Sequence, residues 1–220
     1  MTWQIQRHGT VDSTMRLAES LPLGSVVAAD HQTAGIGRHG HQWDSRPNEG
    51  LYVSLVLKPH PVLTLALGLA AQAALKQVTH LTCEIRWPND LMLGPKKLGG
   101  ILVELHQDRA VAGIGINIGQ RAFPPDLKHL ATSLALETGL DFRRDDILEA
   151  LLHHIPEQTS RTTEEVIATW EQASTWARGK QVIVDEVKGI TAGLDPRGFL
   201  LVRTETGETQ TIYAGGVRAL

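Results

Sequence analysis

Cysteine is nearly absent from this 220-residue chain, and the single copy, Cys83, has no intrachain partner, so a disulfide scaffold is excluded. Long apolar runs are missing as well. The most apolar stretch, 62–78, is interrupted by Thr64, Gly68, Gln72, Lys76 and Gln77, short of the roughly 20 uninterrupted apolar residues that a membrane helix needs. It reads as a buried helix, and no membrane association is expected. Nor is there a surplus of basic residues. With 21 Lys+Arg against 24 Asp+Glu, the formal charge is −3 and the isoelectric point about 6.4. Such a balance supplies no general positive field for a phosphate backbone and argues against nucleic-acid binding. The opening residues, MTWQIQRHGTVDST, lack the basic-then-apolar order of a secretory signal, which makes the cytoplasm the expected compartment.

Missing motifs narrow the chemistry further. Without G-x-x-x-x-G-K-[ST] there is no P-loop, and without G-x-S-x-G no nucleophile elbow for Ser-His-Asp chemistry. There is no H-E-x-x-H among the ten histidines, and His31, His39 and His41 are spaced like solvated loop residues, so no metal centre is expected. Neither low-complexity tracts nor repeats of about 20–50 residues are present, which excludes solenoids.

What is present is an ordinary globular composition, 42% hydrophobic, in a chain long enough for one large domain or one plus a small module. Asp12 or Ser13 can cap a short helix through Met15, Leu17 and Leu21, ended by Pro22 and Gly24. Strand-like runs follow at 25–30, 51–57, 83–86, 98–105 and 110–118, with the 62–78 helix among them. Asp145 opens a further helix through Ile147, Leu148, Leu151 and Leu152, and Thr162-x-x-Glu165 is a capping box for another. The expected fold is a mixed sheet with helices set against it. After Trp176 the pattern changes to short β runs at 181–184, 199–202 and 211–213, separated by turn signals at Asp195-Pro-Arg-Gly198 and Thr206-Gly-Glu208. Residues 1–176 therefore read as an α+β domain and 177–220 as a small β-barrel module.

Four segments carry chemistry. Gly35-Ile-Gly-Arg-His-Gly40 satisfies G-x-G-x-x-G, but Pro47, Asn48 and Gly50 lead into a strand where a dinucleotide site needs a helix. The remaining readings are a plain surface loop or a mobile one in which Arg38 meets a carboxylate or phosphate. Arg86-Trp-Pro-Asn-Asp90 places Asn89 and Asp90 just past a strand end, where open sheets hold ligands; on its chemistry alone an ordinary turn is the better account. Lys96-Lys97-Leu-Gly-Gly100 sets two ammonium groups beside paired glycines, which fits an anion close to backbone or a simple Gly94-Pro95 hairpin. In Gly113-Ile-Gly-Ile-Asn117 the alternating glycines leave one strand face bare for a flat group, or for tight packing, and Asn117 offers the donor and acceptor an adenine edge needs.

The order of these segments is more specific than any one. Asp12-Ser-Thr14, Gln32-x-Ala-Gly-x-Gly-Arg-x-Gly40 with Trp43, Arg86-Trp-Pro-Asn-Asp90, Lys97-Leu-Gly-Gly-Ile-Leu102 and Gly113-x-Gly-Ile-Asn117 together resemble the biotin protein ligases, from about residue 10 onward. The resemblance implies a class II synthetase-like catalytic domain followed by an SH3-like β-barrel. It also implies ATP with Mg2+ as co-substrate, biotin as substrate, and a biotin carboxyl carrier protein as partner. Biotin would be activated as biotinyl-5′-AMP and then passed to a carrier lysine.

By the same resemblance Lys97, Arg38 and Asp90 are the catalytic residues. Biotin is expected against Ser13, Thr14, Met15, Gln32, Gly35, Ile36, Gly37, Arg38, Lys97, Gly99 and Gly100. The nucleotide is expected against Arg38, Gly40, Trp43, Asn89, Lys97, Gly115 and Asn117. Two positions depart from the family pattern: Ile36 stands where Arg is usual, and Met15 where Asn is common. No winged-helix DNA-binding domain is expected, and a homodimer through sheet extension is left open. The rival readings are a lipoate or octanoate ligase of the same fold and a non-catalytic biotin-binding homologue. If the glycine loop is a lid, Arg38→Gly should still make the adenylate but release it faster. Trapping free adenylate over time tests this, and unchanged retention would refute the lid role.

Overall fold

In the computed structural model, which describes residues 2–220, strand alternation sorts the residues of a mixed seven-stranded sheet onto two unlike faces. Its strands are β1 (Gln4–Val11), β2 (Ser25–Gln32), β3 (Gly50–Leu57), β4 (Glu84–Arg86), β5 (Asp90–Leu93), β6 (Lys96–His106) and β7 (Arg109–Asn117), in the order β1-β2-β3-β7-β6-β5-β4. Only β1 and β2 run parallel. On one face Val26, Ala28, Leu51, Val53, Leu55, Ile101, Ala112 and Ile114 enter the main core. That face is covered by α2 (Leu63–Thr79), α4 (Arg144–Thr159) and α5 (Thr163–Ala173). The opposite face carries Val27, Tyr52, Ser54, Val56, Val111, Gly113 and Gly115, and is covered by the short α1 (Thr14–Ala18) and the loop after β2.

The helix expected at 62–78 is α2, buried nearly all round, with Leu65, Ala66, Leu67, Leu69, Ala70 and Ala71 all inside. No helix of the described residues is long and apolar enough to cross a membrane. The capping box is present: Glu165 N–H donates to Thr162 Oγ1, and Thr162 N–H to the Glu165 carboxylate. Such a cap is worth about 1 kcal/mol.

Several elements have no counterpart in the sequence reading, and four of them bear on the fold. β1 has an almost wholly exposed pattern and thus no alternation to detect. β9 (Val187–Leu194) contains Gly189 and Gly193, which weaken the strand signal. α3 (Leu134–Thr138) is a single turn with Ser133 as its cap. β5 pairs back on β4, so Asp90 opens a strand and is the cross-strand partner of Arg86; it does not sit in a turn beyond a strand end. The short helix at Ser13 also ends at Ala18, before Leu21.

The C-terminal strands β8 (Arg178–Val184), β9, β10 (Leu200–Arg203), β11 (Thr209–Ile212) and β12 (Arg218–Ala219) form an antiparallel row, β11-β10-β9-β8-β12. This matches an SH3-like module in outline, but no ladder among the described residues joins β11 to β12, so the expected barrel is open. The larger domain supplies what closure would have. Val182, Val184, Leu200, Val202 and Ile212 belong to the same core as Val62 and Leu65, and the buried Trp87 indole donates to Gly198 O at 3.0 Å. Even a Cβ at Gly198 would stand 2.6 Å from Val62 Cγ1. Leu67→Ala, which empties a fully buried site on α2, should destabilise the whole chain by about 2–5 kcal/mol in denaturant titration. A loss below about 1 kcal/mol would mean that this core is not shared as described.

Candidate active site

Three glycines leave the face opposite the large helices without side chains. Gly100 pairs with Gly115 across β6 and β7, and Gly115 and Gly113 pair with Tyr52 and Ser54 of β3. The space is filled from above. A Cβ at Gly115 would lie 2.5 Å from Trp43 Cε2, and one at Gly113 would lie 2.7 Å from Met15 Sδ. At Gly100 it would meet Lys97 Cε at 3.1 Å and the Trp43 ring at 3.3 Å. The bare strip therefore fits flat or slender groups lying directly on backbone.

At one end of this strip stands a neutral polar cluster. Thr14 N–H donates to Gln32 Oε1 at 2.8 Å, and Thr14 Oγ1 donates to the same oxygen at 3.0 Å. With its proton so used, Thr14 Oγ1 accepts from Ser54 Oγ at 2.8 Å. Gln32 Nε2 in turn donates to Ser45 Oγ at 2.8 Å. Beside them Ser13 is fully buried with no hydrogen-bond partner for Oγ. A buried hydroxyl left unpaired costs about 1–3 kcal/mol, so this corner fits a ligand with uncharged donors and acceptors.

The other end is ionic. Asp90 is held by Arg86 Nη2 on Oδ2 at 2.7 Å and by Lys97 Nζ on Oδ1 at 2.5 Å. Burial alone would raise the Asp90 carboxyl, but the Lys97 ammonium and the Arg86 guanidinium outweigh it and hold the group below the ordinary carboxylate range. Arg38 Nη1 donates to Asn89 Oδ1 at 3.0 Å and reaches Gly215 O at 3.4 Å, and Asn89 Nδ2 is fixed on Ile101 O. Burial lowers the Arg38 guanidinium, and the Asp90 charge works against that. Two cations thus pair with one carboxylate and a third, Arg38, lies within range of its charge, which leaves a surplus of two positive charges. The Lys97 ammonium also lies 5.6 Å from the centroid of Trp43, so ionic end and bare strip are continuous.

The glycine loop between β2 and β3 joins both ends. It is a small hairpin, closed by an Ile36–Gln42 bridge and by Trp43 N–H on Gly35 O. Its tip holds one 3-10 turn, Arg38–Gly40, with His39 and Gly40 at positive φ. Gly35 permits closure, because a Cβ there would meet Trp43 O at 2.8 Å and Ser45 Oγ at 2.9 Å. Met15 and Ile36, the two departures, fall in one apolar cluster with Ala18, Val27, Val56 and Val111.

Of the residues singled out in the sequence, Arg38, Trp43, Asn89, Asp90, Lys97, Gly100 and Gly115 meet at the ionic end and the strip. Gly99, expected against biotin, instead faces the helix-covered core beside Leu91 and Ile116, because neighbours along a strand alternate between faces. Ser13, Thr14, Gln32 and Gly35 meet at the neutral end. Gly37 closes against His41 O, while Gly40 is exposed with open space around it. Asn117 is buried and already engaged, donating to Thr132 O and accepting from Gln120 Nε2. The sequence reading missed Ser45 and Ser54, whose hydroxyls complete the neutral network, and gave Arg86 no role, since its pairing with Asp90 exists only once β4 and β5 form a hairpin. Two grooves, of about 610 and 320 Å3, lie elsewhere, along β1 and α4. They contain none of this chemistry. Cys83 is buried and its thiol pushed up to about 12, which leaves it protonated and unreactive.

Comparison with known proteins gives this site its class. Residues 4–120 match the biotin/lipoate A/B protein ligase family, and residues 179–217 match the biotin protein ligase C-terminal domain. The chain belongs to the biotin/lipoate A/B protein ligase family. Its relatives include the bifunctional ligase/repressor BirA of Bacillus subtilis, 30% identical over 238 residues, covering 96% of this chain and 72% of the relative. The biotin–[acetyl-CoA-carboxylase] ligase of Mycobacterium tuberculosis is 32% identical, covering 88% of this chain and 78% of that protein. Among solved structures, the biotin protein ligase of Aquifex aeolicus in complex with biotin and ATP superposes with a TM-score of 0.88 at 32% identity, over 98% of this chain and 99% of that one.

Since a methyl at position 115 would collide with the Trp43 indole, Gly115→Ala should weaken binding of an ATP analogue about tenfold, or about 1.4 kcal/mol, while leaving the fold intact. Calorimetric titration beside a thermal melt checks this. Unchanged nucleotide affinity would place the nucleotide away from the strip.

Proposed function

We propose that this chain is an ATP-dependent biotin ligase, which activates biotin as biotinyl-5′-AMP and transfers it to a lysine of a biotin carboxyl carrier protein or domain. The observation that carries the reading is the pairing of a neutral hydrogen-bonding corner with a site bearing two surplus positive charges, joined by a glycine strip. Biotin has that same polarity: an uncharged ureido ring at one end and a carboxylate at the other. Ser13, Thr14 and Gln32 meet the ureido group, Met15 and Ile36 supply apolar wall, and the strip at Gly100, Gly113 and Gly115 carries the chain and the adenylate.

In the first step the biotin carboxylate attacks the α-phosphorus of ATP and pyrophosphate leaves. Two anions must be brought together, and Lys97 and Arg38 neutralise them and then the charge that builds on the phosphorus oxygens. Preorganised donors of this kind are worth about 3–4 kcal/mol each. Mg2+ arrives with ATP as part of the substrate. The one group of three metal-ligating side chains within mutual reach among the described residues, Glu19, Glu104 and His106, stands seven residues along β6 from Lys97.

In the second step the neutral amine of the carrier lysine attacks the carbonyl carbon of the mixed anhydride; the C–N bond forms as the bond from that carbon to the phosphate oxygen breaks, AMP leaves and the amine's proton passes to solvent. Asp90, doubly paired and held ionised, serves this step as a fixed anion that orients the acceptor lysine. Trp43 covers the adenylate, and the glycine loop excludes water from the labile anhydride.

Incubating a purified carrier domain with the protein, ATP, Mg2+ and biotin should add the mass of one biotin to the carrier, read by intact-mass spectrometry, with no addition from lipoate in a parallel tube. Addition of lipoate in place of biotin would move the assignment to the lipoate branch. No addition from either, with biotin still bound, would identify a chemically silent homologue.

A further inference from the structure

Arg86 is the one cation of the ionic cluster that neither step above uses. Its geometry is set by sheet register, because Arg86 and Asp90 are direct partners across the β4–β5 hairpin. A carboxylate has two oxygens, and here each has its own cation: Oδ2 takes Arg86 at 2.7 Å and Oδ1 takes Lys97 at 2.5 Å. Both side chains of the Arg86–Asp90 pair are well shielded, 16% and 12% exposed, while Lys97 is 33% exposed and borders the strip. Arg86 is therefore placed behind the carboxylate, away from any ligand on the strip.

Arg86 is itself held from behind. Its guanidinium carbon lies 5.3 Å from the centroid of Trp176, over which Lys180 also stands at 5.1 Å. Trp176 N–H donates to Ser174 Oγ, whose hydroxyl donates to Ile85 O on the same strand as Arg86. Trp176, Arg86, Asp90 and Lys97 thus form one continuous line from the junction of the two sheets to the site.

We infer that Arg86 is a positioning residue for adenylate formation: by occupying one oxygen of Asp90 it leaves the other as a fixed anchor for the Lys97 ammonium, and Trp176 holds Arg86 in that pose. The inference rests on the ligase reading of this site. A purely structural Arg86 would merely pin the hairpin. The two differ in their response to pH. The charged groups facing Asp90 are Arg86 from β4, Lys97 from β6 and Arg38 from the glycine loop. With Arg86 removed, burial is less opposed, the Asp90 carboxyl rises, and protonation frees Lys97 at a higher pH than before.

The test is biotin-dependent pyrophosphate release by the full chain from about pH 5 to about pH 9, for wild type, Arg86→Gln and Arg86→Lys, with thermal melts alongside. Arg86→Gln should lower kcat by about 10- to 100-fold with less than about threefold change in the KM for biotin, since the interaction acts on the reacting groups more than on binding. Its acidic limb should move to higher pH, and Arg86→Lys should return both values part of the way. A wild-type acidic limb in Arg86→Gln, or a rate loss that only follows the unfolded fraction, overturns the inference. If Arg86→Gln does not fold, Arg86→Lys decides: an acidic limb shifted upward supports the inference and an unshifted one refutes it. Absence of pyrophosphate release by the wild type would instead be a failure of the ligase reading.

Discussion

A shielded carboxylate survives in a protein only if something charged is fastened to it, and Asp90 is the point at which this structure meets that requirement. Both of its oxygens are taken, by Arg86 and Lys97, and the arrangement depends on the β4–β5 hairpin for register and on β6 for the lysine. The surplus positive charge that remains is what makes the region receptive to anions. A single carboxylate therefore pairs two cations drawn from two strands, while a third, Arg38 from the loop, is held beside it by Asn89 and Gly215. Without that carboxylate Arg86 and Lys97 would repel one another.

The sheet separates support from chemistry by the simplest available means, the alternation of side chains along a strand. Residues 51, 53 and 55 of β3 enter the core under α2, while Tyr52, Ser54 and Val56 look the other way. On β7 the second face is nearly stripped, with glycine at 113 and 115, so the space above it belongs to Met15, Trp43 and any ligand that displaces or joins them. The helix-covered face can thus be close-packed without constraining what lies on the site face.

Legibility in the sequence followed the strength of local physics. The apolar run of α2, the capping box at Thr162 and Glu165, and the β-forming run of β3 are strong local signals, and each is readable. β1 and β9 are not, because an exposed edge strand has no alternation and glycines blur a strand signal. Within the site, Lys97, Asp90 and Arg38 could be picked out by residue type and order. Arg86 could not, since its importance lies in facing Asp90 across a hairpin that was read as a turn. Ser45 and Ser54 are ordinary serines until Gln32 and Thr14 are brought next to them. Ile36 and Met15, each an isolated oddity in the sequence, fall into one apolar cluster and so belong to a single packing unit.

The contact between Arg38 and Gly215 spans 177 residues, and the one between Trp87 and Gly198 spans 111. Loops of that size close late, because their entropy must be met before the contacts formed can offset it. During synthesis, then, the glycine loop, the ammonium groups and the bare strip all emerge well before the segment that steadies Arg38. A ribosome-bound chain would hold most of the site's residues and their mutual contacts while still lacking those that the last β segments supply to Arg38 and Trp87.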